Sequence, residues 1–245
     1  MKIPVFVFLG IFLFFQQGQA GTVKANSKMI LIPAGSYVPF FDKQAKVAIK
    51  LFWIDKYPVT KKEFQQFLKK NPIWLKEKIK KIFADPSYLK SWHGDHISSK
   101  EKQDSPVVNV SWFAAKAFCE FYGKSLPTTD QWEYVADDHG KGPKEAQQRI
   151  LDWYSKPNPK HLPVVGQASN SYQVDDLYGL VWEWTLDFNS NVISGDKNLF
   201  CGGGALGAAD PSDYARFMRY SFRSSLKANY TIGNFGFRCA QEASQ

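Results

Sequence analysis

Tyr178-Gly-Leu-Val-Trp-Glu-Trp-Thr-Leu-Asp-Phe188 is the stretch on which the reading of this chain turns. Val181, Glu183, Thr185 and Asp187 alternate there with Trp182, Trp184, Leu186 and Phe188. Alternation with period two predicts a strand with one large apolar and aromatic face. Two tryptophans so close together bury a large area. Glu183 stands between them. A carboxylate among indoles must be ion-paired, bonded to backbone N–H groups, or bound to a cation. The residues alone leave a buried structural carboxylate and a metal ligand both open.

Downstream, Met218-Arg-Tyr-Ser-Phe-Arg223 and Ile232-Gly-Asn-Phe-Gly-Phe-Arg-Cys-Ala240 read as further strands. They supply Arg219, Arg223 and Arg238 as fixed cations that can neutralise Glu183 or Glu133. Gly202-Gly-Gly204 is a tight turn. It lacks the strand and helix context of a phosphate cradle, so none is expected. Upstream, regular helix signals stop at Ile150. Pro157, Pro159, Pro163, Gly166 and the Asn/Ser run at 169–171 predict coil and short strands.

The first half is more regular. Met29 to Ser36 predicts a short strand that ends in a Pro/Gly turn, and Val47 to Ile54 a second strand. Thr60 with Glu63 three residues on is a capping box, and Phe64, Phe67 and Leu68 give the helix its apolar face. Ile73 to Phe83 extends that pattern, with lysines interleaved, until Pro86 breaks it. Residues 90–105 read as a polar loop. His93-Gly-Asp-His96 lies there and reads as solvated histidines rather than a metal pair. Pro106 to Val110 is a short buried strand or an extended lead-in. Ser111 caps a helix that runs to about Tyr122 and ends at Gly123. Thr128 or Thr129 caps another, with Trp132 and Val135 facing inward, and Asp137 to Gln148 is a polar loop.

Residues 1–20 read as a secretory leader: Lys2, an apolar run from Val5 to Phe15, and Gly18-Gln-Ala20 as the cleavage site. That run is too short to span a bilayer, and no later stretch is long enough. Residues 21–245 then form a single domain, placed in the periplasm or outside the cell. The formal net charge is +8. Between Lys61 and Lys81 stand eight Lys and two Glu. That run reads as a solvated helix face, or as a docking patch for an anionic partner. Export and the lack of any nucleic-acid motif exclude nucleic acid.

Eight stretches, in order, resemble the formylglycine-generating enzyme (sulfatase-modifying factor) family. They are Met29–Gly35, Phe52–Thr60, Pro106–Trp112, Ala115–Cys119, Gly123–Thr128, Gln131–Tyr134, Gly179–Trp184 and Gly233–Ala240. The resemblance implies an α+β fold, irregular, related to the C-type lectin fold, and poor in regular secondary structure. It implies a disulfide between Cys119 and Cys239, which leaves Cys201 over. Its oxidases hold Cu(I) between two reactive cysteines and activate O₂ to oxidise a substrate cysteine. Those two positions align with Gly207 and Ala215 here, and Gly204 and Ala205 replace a Ser and a Trp. One remaining thiol cannot make the two-sulfur site that Cu(I) prefers. Copper is therefore not expected, and neither is competent formylglycine formation. The family's calcium site is half-matched: Leu180 replaces an Asn, while Glu183 and backbone carbonyls remain as ligands.

The same resemblance places a ligand groove at Gly203, Gly204, Arg219, Arg223 and Trp182, where the oxidases hold their substrate peptide. The expected function is a non-catalytic binding or assembly module of the bacterial envelope, whose partner is a protein or an anionic envelope polymer. The alternatives are an enzyme with different chemistry in the same cleft, maturing a protein, siderophore or cofactor, and an accessory subunit of an envelope machine.

Overall fold

The computed structural model describes residues 29–39, 46–138, 151–153, 155–157, 159–189, 220 and 222–243. Four strands come first: β1 (Met29–Ile32), β2 (Gly35–Tyr37), β3 (Val47–Ile49) and β4 (Phe52–Asp55). Helix α1 (Lys61–Lys70) follows, then the two-residue strands β5 (Trp92–His93) and β6 (His96–Ile97). Helices α2 (Trp112–Phe121) and α3 (Thr129–Asp137) precede β7 (Trp182–Glu183), β8 (Phe235–Gly236) and β9 (Ala240–Glu242). The class is α+β, with short elements and much irregular backbone. The predicted leader, the turn predicted at Gly202–Gly204, Gly207, Ala215 and Arg219 lie outside the described residues, as does nearly all of the loop predicted after Asp137.

β4 is the centre of a three-stranded antiparallel sheet, ordered β1-β4-β9. β2 pairs with β3 and β5 with β6, both antiparallel, while β7 and β8 are parallel. Val47 to Ile54 is thus two strands rather than one. Ile49 and Phe52 are both buried, three residues apart. A continuous strand would put them on opposite faces, so the chain changes sheets at Lys50–Leu51. Met29 to Ser36 divides likewise: Pro33 ends β1, and Gly35 begins β2.

Both threonine caps read from the sequence are present. Thr60 and Glu63 form a reciprocal capping box at α1, and Thr128 does the same with Gln131 at α3. Ser111 caps α2 by accepting from the Ala114 N–H. α1 stops at Lys70, however. Asn71 precedes Pro72, and a residue before proline is pushed out of the helical region. Its φ of −131° and ψ of 68° fit that account. The segment then makes one 3₁₀ turn (Pro72–Trp74) and continues as turns, so Ile73 to Phe83 does not extend the α-helix.

Two further predicted strands are corrected. In the Met218–Arg223 stretch, Tyr220, Phe222 and Arg223 are helical, as is Ser224. Tyr220, Arg223 and Ser224 are all buried, an i, i+3, i+4 spacing that belongs to a helix. The 181–188 stretch keeps only two strand residues. After Trp184 the chain turns so that the Leu186 N–H meets the Pro127 carbonyl, and Asp187 accepts from the Thr129 N–H at 2.6 Å. Leu186 is left exposed, while Glu183, Trp184 and Thr185 are all buried. Residues 151–153, where coil was expected, are helical as well.

The larger core lies between α1, α2 and the end of the chain: Phe64, Phe67, Phe118, Trp184, Phe235 and Phe237 pack there. A second core lies between the three-stranded sheet and α3, around Ile32, Phe52, Ile54, Trp132 and Val135. Cys119 of α2 and Cys239, just before β9, form a disulfide with a Cα–Cα distance of 5.6 Å. Gly236 lets β8 approach the 106–110 segment. A Cβ there would stand 2.7 Å from the Val107 carbonyl oxygen. Among the described residues, no helix is long and apolar enough to cross a membrane.

Candidate functional site

Glu183 lies at the junction of the two cores, opposite Gly236 in the β7–β8 pair. Its Oε1 accepts from Arg238 Nη2 at 2.8 Å, and its Oε2 accepts from Arg238 Nε at 2.8 Å. Trp132 Nε1 donates to the same Oε2 at 2.8 Å. Arg238 also donates to the carbonyls of Asp55, Lys56 and Asp175 at 3.2, 3.2 and 2.9 Å. These five bonds match the five N–H donors of a guanidinium. Both side chains are fully buried. The pair therefore joins β7, the segment before β9, the end of β4 and α3.

This geometry decides between the two readings of Glu183. Both oxygens are held by donors, one of them a full cation. A Ca²⁺ ion at that carboxylate would face the guanidinium, and Leu180 beside it is buried and brings no oxygen. The donor set does not fit calcium. Copper fares no better at the described cysteines, because Cys119 and Cys239 are bonded to each other. Among the described residues, no three His, Cys, Asp or Glu side chains are grouped to hold a metal. His93 and His96 oppose each other at the β5–β6 hairpin, exposed to solvent.

Arg223 is buried rather than set along an open groove. Its Nε donates to the Glu183 carbonyl at 3.2 Å, and its Nη1 lies 3.7 Å from Glu133 Oε1. Its guanidinium stands 5.1 Å from the Trp132 ring centroid. Trp182, from the same predicted groove, is half-buried and packs against Trp153 and Phe222, with ring centroids 5.3 and 5.0 Å away. Gly203, Gly204 and Arg219, also predicted for that groove, lie outside the described residues.

A different concavity was not visible in the sequence. A cleft of about 680 Å³ opens between the β3–β4 connection and the start of α3, with Lys50, Thr128, Asp130, Gln131 and Glu242 on its walls. The Tyr37 hydroxyl donates to Asp130 there. Burial, then the charges around it, push the Tyr37 phenol far above its ordinary value. Its walls come from the two strand pairs and one helix cap, so no local motif announces it. Near Glu183, the Asp176 carboxylate accepts from the N–H groups of Gly166, Gln167 and Ala168. Burial raises its pKa, against those three donors and Arg238.

Residues 16–243 match the model of the sulfatase-modifying factor enzyme 1-like domain. The chain is 28% identical to "Inactive C-alpha-formylglycine-generating enzyme 2" of Bos taurus, over 81% of this chain and 79% of that protein. It is 26% identical to "Formylglycine-generating enzyme" of Bos taurus, over 91% of this chain and 76% of that protein. Among solved structures, PvdO from Pseudomonas aeruginosa superposes with a TM-score of 0.56 at 18% identity, covering 88% of this chain and 94% of that one. At that identity the likeness concerns the fold.

Proposed function

This chain belongs to the sulfatase-modifying factor enzyme 1-like family, and we propose that it is a non-catalytic member that works by binding in the bacterial envelope. One observation carries the proposal. The sequence has three cysteines, and two of them, Cys119 and Cys239, are joined to each other. Cys201 is the third. A Cu(I) site built on two thiolates cannot be assembled from one. By the resemblance, Gly207 and Ala215 take the positions at which the oxidases carry their pair. A relative named as inactive, 28% identical, supports the same reading.

Export is part of the proposal. The leader-like residues 1–20 direct the chain to the periplasm or beyond, where a disulfide persists. Binding uses the groove of Gly203, Gly204, Arg219 and Trp182. Gly204 and Ala205, in place of larger residues, should leave that groove wider than in the oxidases, and Arg219 would offer a cation for a carboxylate or sugar acid. The Lys-rich segment after α1 is a second, electrostatic surface. Binding of the purified protein to envelope fractions tests this at low and high salt. The Lys surface should lose binding with salt, since exposed charges are screened within about 8 Å. Arg219→Ala should weaken the salt-resistant part. If Arg219→Ala binds as wild type at high salt, the groove is not the site. The cleft beside Tyr37 and Asp130 favours one second reading, an enzyme of this family with different chemistry. A small molecule bound there in a crystal would support it.

A further inference from the structure

The segment between α1 and β5 has a composition that the fold does not use. Residues 69–90 hold seven lysines against two carboxylates, Glu77 and Asp85. Asp85 is turned to the protein, accepting from the N–H groups of Ser87 and Thr231. Glu77 accepts from the Gly94 N–H. Lys69, Lys70, Lys78, Lys80, Lys81 and Lys90 are exposed. Lys61, in contrast, is buried against Glu101 and takes no part in this face.

Apolar side chains of the same segment are exposed with the lysines. Leu75 and Ile79 pack against the larger core, whereas Ile73 and Ile82 are 71% and 70% exposed. Their chain neighbours, Trp74 and Phe83, are in ring contact at 6.0 Å, and Phe83 is itself 37% exposed. The platform is anchored from below. Tyr88 Oη donates to the Trp74 carbonyl at 3.0 Å, the Asp85 N–H to the Asn229 carbonyl at 2.8 Å, and Phe83 packs on Phe113 at 5.3 Å. A solvated lysine face has no use for two isoleucines held outward. A soluble polyanion or an acidic protein surface would meet the lysines and gain little from Ile73 and Ile82. Exposed isoleucines interleaved with exposed lysines match an anionic bilayer, whose headgroups attract the cations and whose acyl boundary accepts the isoleucines.

We propose that this platform docks the protein onto a membrane surface rich in anionic phospholipid. The inference rests on the lysine surface of the binding reading above and does not involve Arg219, so it and the groove can fail separately. The test is co-sedimentation with vesicles of phosphatidylcholine alone and of phosphatidylcholine mixed with phosphatidylglycerol. The readout is the excess bound to the mixed vesicles, so that any contribution of residues 1–20 to both is removed. The full chain should show a salt-sensitive excess. Ile73→Ser with Ile82→Ser should lower the partition coefficient about tenfold while keeping binding to immobilised polyglutamate. Lys78→Glu, Lys80→Glu and Lys81→Glu together should abolish both. Both variants alter exposed side chains, and an unchanged thermal midpoint verifies the fold. No excess for the wild type overturns the proposal. So does an isoleucine variant that binds mixed vesicles as the wild type does, which would assign the lysines to an acidic polymer or protein instead.

Discussion

Arg238 carries more of this structure than any catalytic group. Its side chain bonds to Glu183 and to the carbonyls of Asp55, Lys56 and Asp175. Arg238→Met would leave Glu183 buried with only the Trp132 N–H, and urea denaturation should show a loss of about 3–5 kcal/mol. Arg238→Lys offers three donors for five acceptor contacts and should recover only part of that. A loss below about 1 kcal/mol for Arg238→Met, the scale of an exposed pair, would show the pair to be dispensable. The Lys61–Glu101 pair gives a pH signature. Burial alone would raise the Glu101 pKa, but the hydrogen bond and charge of Lys61, with His161, hold it below the ordinary value. A lowered carboxylate contributes stability above its unfolded value and loses it as pH falls through the folded one. The wild type should therefore lose stability below about pH 4.3, and Glu101→Gln should fall less steeply. Parallel curves would contradict this.

The helix starts were legible in the sequence because a cap is a local device. Thr60 with Glu63, Ser111, and Thr128 with Gln131 each bond within three residues. Thr60→Ala should cost about 1 kcal/mol in thermal or urea unfolding, and a neutral result would deny the box its role. Strand limits were not legible in the same way. Pairing partners decide them, and these lie far along the chain: β4 pairs with β1 and β9, and β7 with β8. The Tyr220–Ser224 turn was misread because six residues carry too little periodicity to separate a strand from a helix. The break at Pro72 was readable in principle. A proline two residues past Lys70 should have stopped the helix there. Of the site, the Glu183 and Arg238 residue types were legible. The cleft near Tyr37 and Asp130 was not, since its walls converge only on folding.

At the scale of the molecule, two cores meet at the buried Glu183–Arg238 pair, and a disulfide joins Cys119 to Cys239. That bridge joins residues 120 positions apart, and a loop of that length is worth on the order of 4–5 kcal/mol in the chain-entropy model. The same bridge has a chemical consequence. It removes two of three thiols from any redox role and leaves Cys201. The family fold is retained with two of its three cysteines bonded to each other, and exposed lysines and isoleucines stand on its surface. The most direct measurement is mass spectrometry of a Cys-x-Pro-x-Arg peptide incubated with the protein, copper and O₂. The account predicts that the substrate cysteine stays a thiol. Conversion to the aldehyde, abolished by Cys201→Ser, would contradict it.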